Sequence, residues 1–409
     1  MAIQLTLVGG GMITHDQLLP SFYHLKRLGI IESIQICDRR VAPMRELAEA
    51  ADLREAFPDQ SFKAFPDLSS GNEPAAADLY LKVLAQMPPR SLVMTAVPDQ
   101  LHYAMIKASL QAGHHVLSVK PLVLKGQQAL ELEKLAYEKG LFIGVEYHKR
   151  FDRRSLEARK SYQAGRFGQF RCGEAKLIEP WYYRHSNFQN WFTCENSDPF
   201  TYIGCHYVDL VYFITGLKPV EVAVRGIPGT FPNGNKGYLW SSAQVVFENQ
   251  GILSILNGLG YPDQGAGSND QGMCLYCEGG DSGGLIHHND QFRGVSHSYV
   301  DGSQKYPFRF INPDYMRLVP WSGKGLRPAG YGFDSVEGLV TAAISVNQAC
   351  AGMPESKALA ARQARLKEID QQGLIATPAN SYINDLVVEA GRESILNGGR
   401  TIALSSISA

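Results

Sequence analysis

The 409-residue chain has no apolar run near the roughly twenty residues that a bilayer-spanning helix requires, and charges interrupt its helical segments. That absence argues against a membrane protein. It also has no charge excess: 39 basic residues against 40 acidic ones leave a formal net charge of -1, so neither nucleic acid nor an anionic membrane is expected as a partner. A small molecule is expected instead. Cysteine is sparse, and seven residues scattered singly fit free thiols in a reducing compartment better than a disulfide framework. The amino terminus enters a strand pattern at once, without a basic flank, a long apolar core or a small-residue cleavage site, so a cytoplasmic location is expected. No internal repeat is visible, and the length suits two domains.

Up to about residue 145, short β-rich runs alternate with longer amphipathic segments, the pattern of βαβ units and a parallel sheet. The strand candidates are residues 3–8, 33–37, 61–65, 91–96, 115–119 and 141–145. Residues 99–112 form the clearest helix candidate, with Asp99 as cap and Gly113 as stop. After Arg150 the texture changes: helix to about 165, aromatic loops, a helix near 199–215, then β-rich runs over 220–299 broken by glycine-rich loops around 258–272 and 279–284. Residues 221–225, 243–248 and 251–257 alternate as in a sheet with one covered face. Helices are expected again over 333–351 and within the tail 377–404. The expected fold class is α/β, with a Rossmann domain over 1–145 and an α/β domain over 146–409 built on a mostly antiparallel open sheet.

Leu5-Thr6-Leu7-Val8-Gly9-Gly10-Gly11-Met12-Ile13-Thr14 places Gly9 and Gly11 at the first two positions of a dinucleotide fingerprint, between a strand and a helix. Gly9 allows the tight turn and Gly11 lets backbone approach a pyrophosphate. Met12 and Ile13 open the helix whose unpaired N–H groups favour phosphate. Thr14 stands at the third position, where a small residue serves helix-to-strand packing. Asp38 ends the second strand where an acidic residue would bind ribose hydroxyls; it repels a 2′-phosphate and favours NAD, whereas Arg39 and Arg40 attract one and leave NADP open.

His115-Val116-Leu117-Ser118-Val119-Lys120-Pro121 is a buried-strand pattern ending in a lysine at the edge where open α/β sheets bind ligands. A solvated loop lysine is the bland alternative for Lys120. Farther on, Asp198-Pro199 starts a helix that Gly216 stops, and its spacing groups Tyr202, His206, Asp209 and Phe213 on one face. A lone histidine on an apolar face is usually a core residue, but a His and an Asp three apart can both address a pocket.

The glycine-loop and lysine-strand signatures, with Pro98-Asp99-Gln100-Leu101-His102 between them, resemble the glucose-fructose oxidoreductase, inositol dehydrogenase and rhizopine catabolism (Gfo/Idh/MocA) family of NAD(P)-dependent oxidoreductases. The resemblance continues through Glu146-Tyr147-His148-Lys149-Arg150-Phe151 and Gly204-Cys205-His206-Tyr207-Val208-Asp209. It implies catalytic roles for Lys120, His206 and Asp209, and cofactor contacts at Pro98, His102 and Lys120. It further implies a homo-oligomer, dimer or tetramer, formed on the open sheet. Two positions depart from the pattern: Val119 stands in place of the usual glutamate and Asp99 in place of the usual asparagine.

Chemistry then assigns His206 as base for a hydroxyl proton, Lys120 as donor to the same oxygen, and Asp209 as orienting group or polyol ligand. Tyr147, His148 and Arg150 border the nicotinamide side in this reading, with a domain-junction ion pair as the alternative for Arg150. Trp181, Tyr182, Tyr183, Trp191 and Phe192, with Tyr202, supply either a wall for a sugar ring or a hydrophobic cluster under a loop. The expected activity is hydride transfer between nicotinamide and a secondary hydroxyl or keto group of a sugar, sugar derivative or inositol. A redox-neutral glycoside-cleaving enzyme remains open because of Val119 and the loops after Gly258. A non-catalytic NAD(P)-binding regulator predicts loss of Lys120, His206 and Asp209, all of which are present. No metal is expected, since Cys274 and Cys277 would face opposite sides of a strand.

Overall fold

The computed structural model describes residues 2–265, 269–279, 283–289 and 314–407. The chain forms two compact units. The first comprises Met1–Leu122, Gln128–His148 and Tyr315–Asn380, and the second Val123–Gln127, Lys149–Asp314 and Ser381–Ala409.

In the first unit, six parallel strands, β1 (Ile3–Val8), β2 (Ile31–Cys37), β3 (Lys63–Phe65), β4 (Leu92–Thr95), β5 (His115–Val119) and β6 (Ile143–Glu146), take the order β3-β2-β1-β4-β5-β6. This is the doubly wound dinucleotide-binding order, and β1, β4, β5 and β6 are buried along nearly their whole length. The expected strands fall on these six within two residues at either end. The single boundary expected at 145–146 gives way to a chain that returns to the first unit. The helix Tyr331–Gln348 carries Phe333, Val336, Leu339, Val340, Ala343 and Val346 into the same core as Leu5, Leu7 and Ile36. Spacings of three and four residues put these side chains on one stripe, and each large one buried contributes about 1.5–3 kcal/mol. The helix Glu355–Gln372 adds Leu366 and Ile369. Its alanine-rich sequence favours helix, yet the sequence reading passed from 351 to 377 without it.

The second unit is built on β7 (Gln169–Pro180), β8 (Pro219–Thr230), β9 (Lys236–Phe247), β10 (Ile252–Tyr261), β11 (Asp270–Glu278) and β12 (Gly284–Asn289). The order is β12-β11-β7-β10-β9-β8, with a short strand Ile402–Ala403 beyond β8. Only the β7–β10 pair is parallel among these described strands. The sheet is therefore mostly antiparallel. Val222, Val224, Ala243, Val245, Leu253 and Ile255 alternate onto one face and share a core with Val208 and Val211 of the helix Cys205–Thr215 and Val387 and Ala390 of the helix Pro378–Leu396. On the opposite face, among the described residues, Ile252, Cys172, Tyr276 and Leu285 form an exposed row across β10, β7, β11 and β12. β7 is the strand that the sequence reading left inside a helix-and-loop region. The β-rich stretch expected to 299 and the loops near 258–272 and 279–284 lie partly outside the described residues.

Candidate functional site

At the carboxyl end of β1, Gly9 has φ +111°, and a Cβ there would lie 2.1 Å from the Ala96 carbonyl oxygen. Only glycine fits a turn so close to the end of β4. At Gly11 an added Cβ would meet nothing within 4 Å, so backbone there faces open space, the condition for close approach of a pyrophosphate. The Gly10 N–H donates to Asp38 Oδ2 at 2.9 Å and the Arg40 N–H to Asp38 Oδ1 at 3.0 Å. Asp38 thus fixes the glycine loop to the end of β2. Thr14, fully buried, donates its hydroxyl to the Gly9 carbonyl at 2.9 Å, a tie that glycine at the third fingerprint position would not make.

Met12 and Ile13 begin the helical run, which passes through a π-helical turn over Thr14–Leu18. His15 in that turn places Nδ1 2.7 Å from Asp16 and Nε2 3.3 Å from Asp52. Hydrogen bonds to those two carboxylates raise its pKa to about 10. Arg39 is exposed, with its Nε 3.5 Å from the Ala75 carbonyl.

Lys120 directly follows β5 and is only 9% exposed, so the solvated-loop reading does not apply. The Lys120-Pro121 peptide is cis. His102 is fully buried, with Nδ1 2.8 Å from the Pro121 carbonyl and Nε2 2.8 Å from the Val97 carbonyl. Its ring thus bridges the turns after β4 and β5, next to Lys120. Pro98 precedes a 3-10 turn over Asp99–Leu101, and the α-helix starts only at His102. Asp99 is a buried member of that turn, and the residue that precedes the α-helix is Leu101. Gly113, at φ +87°, ends the helix as expected.

The end of β6 adds a feature that periodicity does not reveal. Glu146, paired in register with Val119, is 2% exposed; one oxygen accepts from Gln17 Nε2 at 2.9 Å and the other lies 2.9 Å from His148 Nδ1. His148 is held against Tyr331 and Tyr315, with ring centroids 5.6 and 5.0 Å away. A carboxylate bonded to Nδ1 sets the histidine's ring orientation. Tyr147 is buried. The available signal was a glutamate inside a strand whose every residue is buried.

In the second unit, Asp198 caps its helix as read, accepting the Thr201 N–H at 2.9 Å and pairing with Arg392 at 2.8 Å. The helix is not regular throughout: a π-helical turn, Phe200–Gly204, precedes Cys205–Thr215, which Gly216 ends at φ +74°. Tyr202 lies in the π turn, half-buried, its ring packed against Phe188, Trp191 and Phe192 at centroid distances of 5.0, 5.7 and 5.8 Å. These aromatics form a mutual cluster. Trp181 stands apart, 45% exposed, under the Arg184 guanidinium at 3.8 Å. His206 is 4% exposed on the first turn of the α-helix.

Asp209 departs from expectation. Arg150 donates to it from Nε at 2.9 Å and from Nη2 at 2.6 Å, and Asn384 Nδ2 donates at 2.7 Å. Both ionic partners are about 98–99% buried. A carboxylate so engaged holds the helix in place and is not an open ligand for a polyol. The ion-pair alternative for Arg150 is the one the structure forms. Next to Asn384, Asp385 is fully buried and accepts the Val123 N–H at 3.1 Å. Burial first, with the Asp209 charge adding, pushes its pKa up to about 8. Cys274 and Cys277 face opposite sides of β11, and among the described residues no group of three His, Cys, Asp or Glu side chains is arranged to hold a metal.

Comparison with known proteins agrees with this geometry. Residues 3–147 match the GFO_IDH_MocA family model, described as an oxidoreductase family with an NAD-binding Rossmann fold. D-glucoside 3-dehydrogenase of Escherichia coli is 23% identical over 224 residues, 54% of this chain and 56% of that protein. The scyllo-inositol 2-dehydrogenase (NADP(+)) of Bacillus subtilis is 26% identical over 161 residues, 39% of this chain and 42% of that one. The chain thus spans about half the length of these curated relatives. A solved structure of scyllo-inositol dehydrogenase from Lactobacillus casei with bound NAD(H) and scyllo-inositol superposes with TM-score 0.60 at 15% identity, over 99% of this chain and 100% of that one. That likeness shows a shared fold. With the glycine loop, Asp38 and the six-stranded order in place, residues 3–147 match an oxidoreductase family with an NAD-binding Rossmann fold.

Proposed function

We propose that the protein is an NAD-dependent dehydrogenase or reductase acting on a secondary hydroxyl or keto group of a sugar, sugar derivative or inositol, with NADP as the weaker cofactor. The observation that carries this reading is the buried Lys120 at the carboxyl end of β5, in a sheet whose glycine loop leaves open space at Gly11. Gly9, Gly11, Met12, Ile13 and Asp38 hold the dinucleotide. Bound NAD supplies the hydride acceptor, or NADH the donor in the reverse direction.

The chain's own residues handle the oxygen and the proton. His206 takes the hydroxyl proton as the carbon-bound hydrogen leaves, a role suited to an imidazole near neutral pH. Lys120 donates a hydrogen bond to the same oxygen and stabilises the developing alkoxide. Asp209, Arg150 and Asn384 fix the helix that carries His206, and His102 fixes the turn that carries Lys120. Tyr202 and Trp181 offer ring surfaces to a sugar.

Sugars, glycosides and inositols screened with NAD and with NADP, following absorbance of the reduced nicotinamide, test the activity. Net reduction with at least one free sugar or polyol is expected, whereas glycoside cleavage without it would overturn the reading. Lys120→Met and His206→Ala should each lower turnover by about 10²–10⁴-fold while NAD still binds. Full turnover in both variants would reject the assigned roles.

Self-association belongs to the same proposal: a second copy covers the row Ile252, Cys172, Tyr276 and Leu285 on the open sheet face. Sedimentation should show a dimer or larger, and Tyr276→Glu with Leu285→Glu should shift it toward monomer.

A further inference from the structure

A concavity lies in the first unit at the opposite end of the parallel sheet from the glycine loop, where β1, β2 and β4 begin. Its volume is about 390 Å³, and Arg90, Asn347, Arg362, Glu32 and Glu355 are among the residues that line it. Three observations there bear on what it would bind.

The first is Arg362. It is 5% exposed, its Nε has no hydrogen-bond partner, and its Nη1 reaches only the Cys350 sulfur, at 3.6 Å. Among the described residues no carboxylate pairs with it. A guanidinium buried without a counter-charge is costly, and apolar packing of similar volume would serve the core better. The second is Arg90, a non-glycine residue at φ +61°. Its N–H donates to the Gly113 carbonyl at 2.9 Å and its carbonyl accepts Asn347 Nδ2 at 3.1 Å, while its side chain makes no bond among the described residues. Glycine or asparagine would hold this left-handed conformation with less strain, so the side chain is what distinguishes the residue. The third is the local field. His115, bonded through Nε2 to Asn347 Oδ1 at 2.9 Å, has its pKa pushed down to about 4, by burial first, with the Arg90 and Arg362 charges also contributing.

We propose that this cavity binds a small organic monocarboxylate, received by Arg362 and Arg90. A carboxylate supplies the counter-charge that Arg362 lacks, and a guanidinium fork matches its two oxygens. The volume is at the small end of ligand pockets, about 300–1,000 Å³, which suits an acid of a few carbons and excludes a dinucleotide. Glu32 and Glu355, both exposed, line the same cavity and repel additional negative charge, so the site selects one carboxylate over a polyanion. Nothing in this proposal depends on the reaction at the other end of the sheet.

Calorimetric titration of the full chain with propionate, at an ionic strength held constant with chloride, tests it. Propionate has no ketone or alcohol group to engage a dehydrogenase site. Saturable binding is expected, weakened about tenfold or more in Arg90→Gln and in Arg362→Met, with NAD affinity unchanged in both. Absence of saturable binding overturns the proposal, as does propionate affinity that is unaltered in the variants. Tighter binding of citrate or inorganic phosphate than of propionate at the same site overturns the monocarboxylate assignment. Should Arg362→Met fail to fold, the partly exposed Arg90→Gln retains the decision.

Discussion

The two units hold their candidate residues by different physical means. In the first, bonds to backbone do the positioning: Thr14 to the Gly9 carbonyl, Asp38 to the Gly10 and Arg40 amides, and His102 to the Val97 and Pro121 carbonyls. In the second, buried charge does it, through Arg150 on Asp209 and Arg392 on Asp198. Both helices nevertheless open through a π-helical turn, Thr14–Leu18 in one and Phe200–Gly204 in the other. Such turns are rare and concentrate at functional sites, because the extra residue re-aims side chains. Backbone bonds tolerate substitution of one partner better than a dry ion pair does, since a buried charge left alone cannot recover its hydration.

The sharpest way to break this contrast is Arg150→Met. It leaves the 1%-exposed Asp209 carboxylate with Asn384 alone, and the expected loss is about 3–5 kcal/mol of unfolding free energy, read from urea midpoints at constant slope. A midpoint close to wild type would show that charge is not what holds this helix. In the first unit the corresponding test is steric. Gly9→Ala forces an L side chain to φ +111° and onto the Ala96 carbonyl, costing about 1–3 kcal/mol from the backbone alone, whereas Gly11→Ala should stay within about 0.5 kcal/mol of wild type. Gly11→Ala should instead weaken NAD binding, because its Cβ occupies the space left for the pyrophosphate. If the two alanines behave alike in both assays, the glycine loop is not a dinucleotide cradle.

That asymmetry also explains what could be read from the sequence. Strand alternation, the glycine loop and the lysine at the end of β5 are local patterns, and the residues that complete them lie within a few positions or on the next strand. Arg150 and Asp209 are 59 positions apart, Asn384 and Asp209 are 175 apart, and Arg392 and Asp198 are 194 apart, so no spacing rule connects them. Asp209 looked like an available carboxylate because its partner lay on the far side of an unread strand. The return of Tyr331–Gln348 to the first core was hidden for the same reason: its apolar stripe shows that it packs, not against which sheet. Glu146 escaped because a fully buried strand leaves no polar face for an acid, and only tertiary partners such as Gln17 and His148 accommodate it.

Asp385 gives a smaller and pH-dependent effect in the second unit. Its folded pKa, about 8, lies above the ordinary carboxylate value, so the stability it contributes is complete below about pH 4 and is lost as pH rises through 8. Asp385→Asn keeps an acceptor for the Val123 N–H and cannot ionise. Its stability should therefore be flatter over that window and exceed wild type at pH 8. Parallel pH profiles for the two proteins would show that Asp385 is not neutral in the folded state.

The smallest expected effect belongs to the first unit and runs through a charge, which makes it the exception that sharpens the rule. His15, about one-third exposed, has a folded pKa near 10 because Asp16 and Asp52 each bond one ring nitrogen. A raised histidine pKa means that the added stability is complete below about pH 6.5 and disappears as pH climbs through 10. Solvent screening at this exposure keeps the gain below about 1 kcal/mol, so His15→Gln should lower the urea midpoint slightly at pH 6 and converge with wild type above pH 10. Because the pair is partly exposed, half-molar salt should shrink the difference at pH 6, while the penalty of Arg150→Met should survive the same salt. Equal salt sensitivity at the two positions would mean that burial does not separate them, and the contrast between a backbone-held unit and a charge-held one would fall.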